Sequence, residues 1–313
     1  MRRILLIFLF SFFLFPFLLY GTPEIYFQEE ARRGEPLSII GLSRTPIDEI
    51  SAYLFTAEGK EVIHNRGFQL QNEEEMDIRV ILLGIPMHIE DEELSVRVEG
   101  YSGGDHFSID KKLKLLERDF MAENIRLGEA MSELRQSSDP RKWEEARELS
   151  ALLKTFNAES IYCTEIQDLP VKDARITSDF GDRRKYIYSD GGSAHSIHTG
   201  VDLAAPRGTS VFAGGRGKVV FTGMRILTGN TVVIEHLPGV YGLYYHLDSI
   251  EVEKGQFVEK GEPIGTVGAT GLVTGAHLHW EIRVAGIPVE PWWLLEKNLL
   301  DKQKIIDIIG STD

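Results

Sequence analysis

One cysteine, Cys163, is all that the 313-residue chain contains. A lone cysteine excludes an intrachain disulfide, and because no cysteine directly follows the amino-terminal apolar run we expect no lipid anchor on cysteine. Basic residues are also scarce, since 34 Lys and Arg against 48 Asp and Glu give a formal charge of −14 at pH 7. Such acidity disfavours binding to polyanions, so we expect no nucleic-acid partner.

A long apolar run occupies residues 4–20 and follows two arginines, Arg2 and Arg3. Positive flanks stay on the cytoplasmic side of the membrane, so the rest of the chain is predicted to be exported to the periplasm or cell envelope. The run is long for a signal peptide and slightly short for a span, which needs about 20 apolar residues. We therefore predict that residues 1–22 are either a signal peptide or an anchor in the cytoplasmic membrane.

Residues 23–112 alternate short β-forming runs with turns that contain glycine and acidic residues. This texture predicts a small immunoglobulin-like β-sandwich. Such a domain either holds the protein near cell-envelope proteins or serves as a spacer. The β-forming runs are residues 37–40, 50–55, 78–83 and 94–98.

The pattern becomes helical in residues 113–160, which predicts a short helical connector. Asp139 followed by Pro140 is a good N-cap and first-turn pair for a helix over residues 141–156. The length of the chain allows such a multidomain organisation with a substantial core.

Residues 172–297 contain short β runs separated by glycines, which predicts an antiparallel, turn-rich β domain, followed by a tail at 298–313. Acidic and basic residues nearly balance here, so the excess negative charge lies mainly in the amino-terminal half. The clearest β runs are residues 218–221, 231–235, 243–245 and 277–284.

Two histidines, His277 and His279, stand two residues apart in the last of these runs. Alternate residues of a strand share a face, so both imidazoles are expected on the face opposite Leu278 and Trp280. His198 and Asp202 lie upstream, in the sequence His-Thr-Gly-Val-Asp. With one histidine of the pair they make a three-ligand nitrogen and oxygen set, the usual way of holding a catalytic zinc ion.

Three segments carry a family resemblance: His-Thr-Gly-Val-Asp-Leu-Ala-Ala-Pro at 198–206, Tyr-Tyr-His-Leu at 244–247 and Gly-Ala-His-Leu-His-Trp at 275–280. In this order they resemble the lysostaphin-type, or LytM-type, zinc metallo-endopeptidases, which cut peptide cross-links in bacterial peptidoglycan. The resemblance runs from about Arg175 to Trp293. It implies a LytM-type β-sheet peptidase domain, a Zn²⁺ cofactor and the stem peptides of peptidoglycan as substrate.

The resemblance also assigns roles. His198, Asp202 and His279 match the zinc ligands, whereas His246 and His277 match the two histidines that stay off the metal and serve the chemistry. A base near the zinc-activated water must accept a proton, and a second group must stabilise the developing oxyanion. The sequence leaves open which of the two histidines does which.

Two further residues, Arg183 and Asn230, are predicted for the substrate groove. Arg183 follows a glycine turn that matches the family's opening segment, and it either holds a substrate carboxylate or braces the turn. Asn230 resembles a polar residue that lines the family's groove.

Three alternatives compete with an active zinc peptidase. A cysteine nucleophile would need Cys163, which lies in a connector away from the histidine motifs. A biotinyl or lipoyl carrier domain has the same glycine spacing as residues 252–265, yet it would need an exposed lysine at a hairpin tip. A non-catalytic LytM-type module that binds or activates other wall hydrolases usually lacks ligands, and this chain keeps them all.

Overall fold

The computed structural model describes residues 21–70 and 76–310 and shows a mainly β protein, as predicted. The predicted export segment, residues 4–20, lies outside the described residues. No helix in the described part is long and apolar enough to cross a membrane. The amino-terminal strands are β1 (Glu24–Tyr26), β2 (Glu30–Arg32), β3 (Pro36–Ser43), β4 (Ile47–Phe55), β5 (Glu61–Arg66), β6 (Phe68–Leu70), β7 (Asp77–Gly84), β8 (Glu93–Ser102) and β9 (Asp105–Leu116).

These strands form two sheets that face each other, with the orders β1-β3-β7-β6 and β2-β9-β8-β4-β5. After β3 the chain changes sheet between β3 and β4, between β5 and β6 and between β7 and β8, which is the strand order of an immunoglobulin sandwich. Buried apolar side chains of both sheets meet between them, among them Leu37 and Leu83 from one sheet and Leu54 and Val96 from the other. The predicted immunoglobulin-like sandwich is confirmed.

Strand β7 is buried on both faces, which explains its nearly unbroken apolar sequence Val-Ile-Leu-Leu. Ile81 and Leu83 point into the sandwich, whereas Val80 and Leu82 point outward and join the core of the carboxy-terminal domain. Alternate residues of one strand therefore serve two cores. The sandwich is packed firmly against its neighbour rather than held at a distance by a connector.

The connector is only partly helical. The last sandwich strand, β9, continues to Leu116, and a further strand interrupts the segment before the helices begin. Asp139 caps the second helix as predicted, since its carboxylate accepts a hydrogen bond from the Arg141 backbone N–H and Pro140 occupies the first turn. The connector elements are β10 (Ala122–Arg126), α1 (Glu129–Gln136) and α2 (Pro140–Leu153).

The carboxy-terminal elements are β11 (Arg175–Ser178), β12 (Arg183–Ile187), β13 (Ser193–Ile197), β14 (Val201–Ala204), β15 (Ser210–Phe212), β16 (Gly217–Arg225), β17 (Gly229–Leu237), β18 (Val240–Ile250), β19 (Phe257–Val258), β20 (Pro263–Val267), β21 (Leu278–Val284), β22 (Ile287–Val289), α3 (Pro291–Glu296) and α4 (Lys302–Gly310). Most of these strands form one sheet whose main path is β11-β14-β21-β18-β17-β16-β19. Its pairings in the described residues are antiparallel, as predicted.

A second, three-stranded sheet has the order β10-β12-β13. Strands β12 and β13 form a hairpin, and β10 from the connector pairs with β12 in parallel. Sequence patterns do not indicate this pairing, because about sixty residues separate the two strands. It means that the connector contributes directly to the carboxy-terminal domain.

The segment predicted to be a tail contains α4, which packs on the sandwich. Ile305 and Ile309 are buried against Ile40, Leu42 and Ile78. The final helix therefore returns to the amino-terminal domain and covers part of its outer face.

We expect Ile305→Ala to lower the free energy of unfolding by about 2–5 kcal/mol, because it deletes a buried side chain and leaves a cavity. The neighbouring Ile306 is 56% exposed, so Ile306→Ala is a matched control that should change stability by less than about 0.5 kcal/mol. Chemical denaturation of both variants checks this. Equal stability of the two variants would contradict the packing of α4.

Candidate metal centre

Three side-chain atoms converge on one point of the carboxy-terminal domain. His198 Nε2 lies 3.1 Å from Asp202 Oδ1 and 2.9 Å from His279 Nδ1, and the latter two atoms are 2.9 Å apart. All three residues are buried. The structure thus brings together the two histidines and the carboxylate that the sequence predicted as metal ligands.

The main sheet sets these positions. Asp202 on β14 is the direct cross-strand partner of His279 on β21, and His279 is in turn paired with Tyr245 on β18. Side chains of directly opposed residues lie on the same face about 5 Å apart. Tyr245 stacks on the imidazole of His279, with ring centroids 5.3 Å apart.

Glycine between the first two ligands is required by close packing. A Cβ atom on Gly200 would lie 2.3 Å from the Trp280 carbonyl oxygen and 2.8 Å from His279 Nε2. Because no side chain fits there, only glycine lets the His198 turn approach strand β21.

Each of the three ligand side chains makes a second polar contact through the atom that points away from the centre. His198 Nδ1 donates to the Asp179 carbonyl oxygen at 2.7 Å, and His279 Nε2 lies 3.5 Å from the Glu281 carboxylate. Asp202 Oδ2 accepts from Arg184 at 2.6 Å. These contacts assign the imidazole protons to the outer nitrogens and leave lone pairs on the converging ones.

Three lone-pair atoms at such separations repel one another unless positive charge lies between them. A proton on His279 Nδ1 can supply this charge in place of a cation: burial opposes the charged form of His279, but hydrogen bonds to Asp202 and Glu281 outweigh burial and raise its pKa to about 9. Burial also opposes the charge of Asp202, yet hydrogen bonds from His198 and His279 hold its pKa well below the usual range. This donor set fits a divalent cation bound by two imidazoles and one carboxylate.

Two further histidines stand beside this centre without joining it. His277 Nε2 lies 3.6 Å from Asp202 Oδ1, and the rings of His246 and His277 are 4.9 Å apart between centroids. The Nδ1 atoms of these histidines donate to the carbonyl oxygens of Thr270 and Gly275, respectively. In each ring Nε2 therefore keeps a lone pair that can accept a proton.

Burial keeps both histidines neutral. It is the main cause that lowers the pKa of His246 to about 3, with the charges of His277 and His279 adding to it. Burial also lowers the pKa of His277. A histidine can act as a base only in this neutral form, because one ring nitrogen then has a lone pair.

The backbone of His246 is unusual, since its φ is 62°. Non-glycine residues seldom adopt this left-handed conformation, which costs about 1–3 kcal/mol and is concentrated at functional sites. It breaks the alternation of strand β18, so that Tyr245 and His246 both line the same cleft. The backbone N–H of His246 donates to the Thr228 carbonyl oxygen, which fixes the turn.

The cleft above these residues has a volume of about 510 Å³. It is lined by the histidines and Asp202 together with residues 227–228 and 272–274. The three-stranded sheet and α1 also line it, through Glu123, Arg135, Arg184 and Tyr186 among others. The site is therefore a groove that can receive an extended chain.

The sequence of residues 196–291 matches the sequence model of peptidase family M23. The chain carries an M23 peptidase domain. The match contains all three converging ligands as well as His246 and His277.

Several curated proteins that are similar to the M23 domain are named as endopeptidases. The DD-carboxypeptidase/endopeptidase Mpg of Neisseria meningitidis is 44% identical over 122 residues, which are 39% of this chain and 27% of that protein. The peptidoglycan DD-endopeptidase ShyA of Vibrio cholerae is 44% identical over 115 residues, which are 37% of this chain and 26% of that protein. The chain thus spans about a quarter of the length of these relatives.

One solved structure is similar over a larger part of the chain. It comes from Pseudomonas aeruginosa, is provisionally described as a peptidase M23, and covers 82% of this chain and 92% of its own with a TM-score of 0.53. At 23% sequence identity this likeness shows a shared fold alone. The likeness extends well beyond the M23 domain into the amino-terminal half.

Arg183, predicted for the substrate groove, does not line the cleft of the M23 domain. Its guanidinium donates to the Met87 carbonyl oxygen and lies over the ring of Phe120, on the side of the sandwich. The next residue, Arg184, points into the cleft and pairs with Asp202 and Glu123. Successive residues of strand β12 face opposite sides, so an error of one position moves the side chain to the other face.

Asn230 is a structural residue rather than part of the groove lining. Its amide donates to the carbonyl oxygens of Leu247 and Asp248, both at 3.1 Å. Its backbone N–H donates to Thr270, whose carbonyl oxygen holds His246. Asn230 therefore lies close to the metal centre, as predicted, but its hydrogen bonds stabilise the segment that carries His246 instead of contacting the cleft.

Cys163 lies outside the cleft and is buried. Burial raises the pKa of its thiol, the opposite of what a cysteine nucleophile requires. The geometry therefore gives no support to a cysteine mechanism.

We expect Arg184→Gln to weaken metal binding by about 10- to 100-fold, because loss of a partner that orients a ligand typically has this effect. Arg183→Gln is a matched control on the opposite face of the same strand and should bind metal as tightly as the parent. Competition with a metal chelator measures both affinities. Equal weakening in the two variants would show that the strand, and not the Arg184–Asp202 contact, is responsible.

Proposed function

We propose that this protein is a zinc metallo-endopeptidase that hydrolyses peptide cross-links of bacterial peptidoglycan. The observation that carries the proposal is the buried convergence of His198, Asp202 and His279 beneath a groove, with His246 and His277 beside them. The names of the relatives of the M23 domain support the same substrate class.

Zinc is the metal that best suits this donor set. Two neutral imidazoles and one carboxylate are a common ligand set of catalytic zinc, which keeps its fourth position open. Bound there, zinc would polarise the scissile carbonyl group and lower the pKa of a water molecule to about 7.

The protein's own groups then move the proton. Either His246 or His277 can accept it at Nε2, because both rings donate through Nδ1 to the backbone. The protonated ring can afterwards donate to the developing oxyanion or to the leaving amine. His277 lies nearer to the ligands, 3.6 Å from Asp202 Oδ1.

The bond we propose is the D-alanyl–diamino acid cross-link rather than a glycine bridge. The names of the Neisseria and Vibrio relatives describe DD-endopeptidases, which supports this choice. Purified murein digested with the full-length chain should release separated stem peptides with the matching ends, identified by mass spectrometry. Products cut only within glycine bridges would contradict the bond, and an unchanged murein would contradict the peptidase.

The alternative function is that of a non-catalytic module that binds or activates other wall hydrolases. Retention of the three ligands and both neighbouring histidines favours the enzyme.

We also propose that the protein acts outside the cytoplasm, in the periplasm or cell envelope, with the amino-terminal run serving either as a signal peptide or as a membrane anchor. A reporter enzyme fused after Asp313 should be active when it requires export and inactive when it requires the cytoplasm. The opposite pattern would contradict export. Amino-terminal sequencing of the protein isolated from cells distinguishes a cleaved signal from a retained anchor.

A further inference from the structure

Four charged residues other than histidine line the cleft: Glu123, Arg135, Arg184 and Asp202. Three of them form one ionic cluster, because Arg184 lies 2.6 Å from both Glu123 and Asp202. Arg135 is different. Within the described residues its guanidinium has no carboxylate within 4.0 Å, so this charge is available to pair with a ligand.

Arg135 is held in place although it has no ionic partner. Its guanidinium carbon lies 3.9 Å from the centre of the Tyr186 ring, a close cation–π contact. The helix that carries it is fastened to the β12–β13 hairpin, since Ser132 Oγ accepts from the Ser189 backbone N–H at 2.9 Å and Gln136 donates to Asp190 at 3.0 Å. A stacked guanidinium on a docked helix loses little freedom when it binds a ligand.

The position of Arg135 relative to the metal centre follows from strand β12. Arg184 contacts the ligand Asp202, and Tyr186 lies two residues farther along the same face, about 7 Å away. Arg135 covers Tyr186 and therefore stands at the end of the cleft away from the ligands. An extended peptide rises about 3.3 Å per residue, so a group here would belong to a residue two or three positions from the scissile bond.

We propose that Arg135 and Tyr186 form a subsite that binds a carboxylate of the substrate peptide. The inference rests on the proposed peptidase function and adds a specificity determinant to it, from a helix outside the residues that match family M23. A guanidinium binds a carboxylate through two parallel hydrogen bonds, which the neutral carboxamide cannot reproduce. The subsite therefore selects stem peptides with free carboxylates over amidated ones.

Binding tests the subsite without relying on catalysis. The probe is a synthetic stem-peptide dimer joined by a D-alanyl–diamino acid bond, prepared once with free carboxylates and once with every carboxylate converted to the carboxamide. Isothermal titration of the full-length chain, with its metal removed to prevent cleavage, should show about 10- to 100-fold tighter binding of the free-carboxylate peptide. Arg135→Gln should abolish this preference and leave the affinity for the amidated peptide unchanged.

Two further variants make the test specific. Arg135→Lys keeps the charge but loses the flat stacking and the paired donors, so its preference should be intermediate. Arg147→Gln removes an exposed arginine of α2 that does not line the cleft, and it should retain the full preference. In the metal-loaded protein, Arg135→Gln should raise KM for the free-carboxylate peptide with little change in kcat, the mark of lost substrate binding.

Three results would overturn the subsite: equal affinity of the parent for the two peptides, no binding of the free-carboxylate peptide, or an unchanged preference in Arg135→Gln. These outcomes are separate from failure of the peptidase itself. A parent that cleaves murein but binds both peptides equally would refute only the subsite, whereas a parent that leaves murein intact would refute the proposed function.

Discussion

His279→Ala should lose both its bound metal and murein cleavage. The substitution removes Nδ1 from a three-atom centre in which each atom lies 2.9–3.1 Å from the others. Metal affinity should fall by more than the roughly 10- to 100-fold that loss of an outer partner causes, because a direct ligand is deleted. Metal analysis after gel filtration and a murein digest measure the two losses together.

A surface histidine provides the control for this variant. His106 is exposed on strand β9 of the sandwich, so His106→Ala should keep both metal and activity. A His279→Ala protein that is folded, retains one metal ion per chain and still cuts murein would remove His279 from the ligand set.

His277→Ala should show the opposite combination, with metal retained and murein cleavage reduced by about 10²- to 10⁴-fold, the usual contribution of a general acid or base. The reason is that His277 lies beside the ligands with a free Nε2 but is not one of the three converging residues. His246→Ala should behave similarly. The pair of measurements is the metal content of each variant and the initial rate of murein cleavage.

The two variants also define what would contradict the assignment. Loss of metal from His277→Ala together with its retention in His279→Ala would reverse the roles along strand β21. Full activity in both His277→Ala and His246→Ala would leave the proton-transfer step without a residue and favour the non-catalytic module.

The sequence predicted the centre because its residues lie in short motifs that resemble those of a known family, although Asp202 and His279 are 77 residues apart. The alternation of Leu278, Trp280 and Ile282 with the histidines identified the buried face of β21, and all three apolar residues are fully buried. The opposite face, however, is also largely enclosed, since His279 and Glu281 are buried beneath the cleft. Alternation alone shows which residues share a face but not what covers that face.

The sequence did not predict how the connector and the carboxy-terminal tail pack against the two β domains. The pairing of β10 with β12, the docking of α1 and the return of α4 to the sandwich all join segments whose own patterns are compatible with a connector or a tail. The same limit explains the exchange of Arg183 for Arg184, because the strand register decides which of two adjacent arginines faces the metal centre.

The most direct test of the central proposal joins metal content to chemistry in one sample. The full-length chain is purified, its metal is measured, and murein digestion is followed before chelation, after chelation and after addition of zinc. We predict about one zinc ion per chain, loss of stem-peptide products on chelation and their return with zinc. A folded protein that contains no zinc and releases the same products in the presence of a chelator would contradict it.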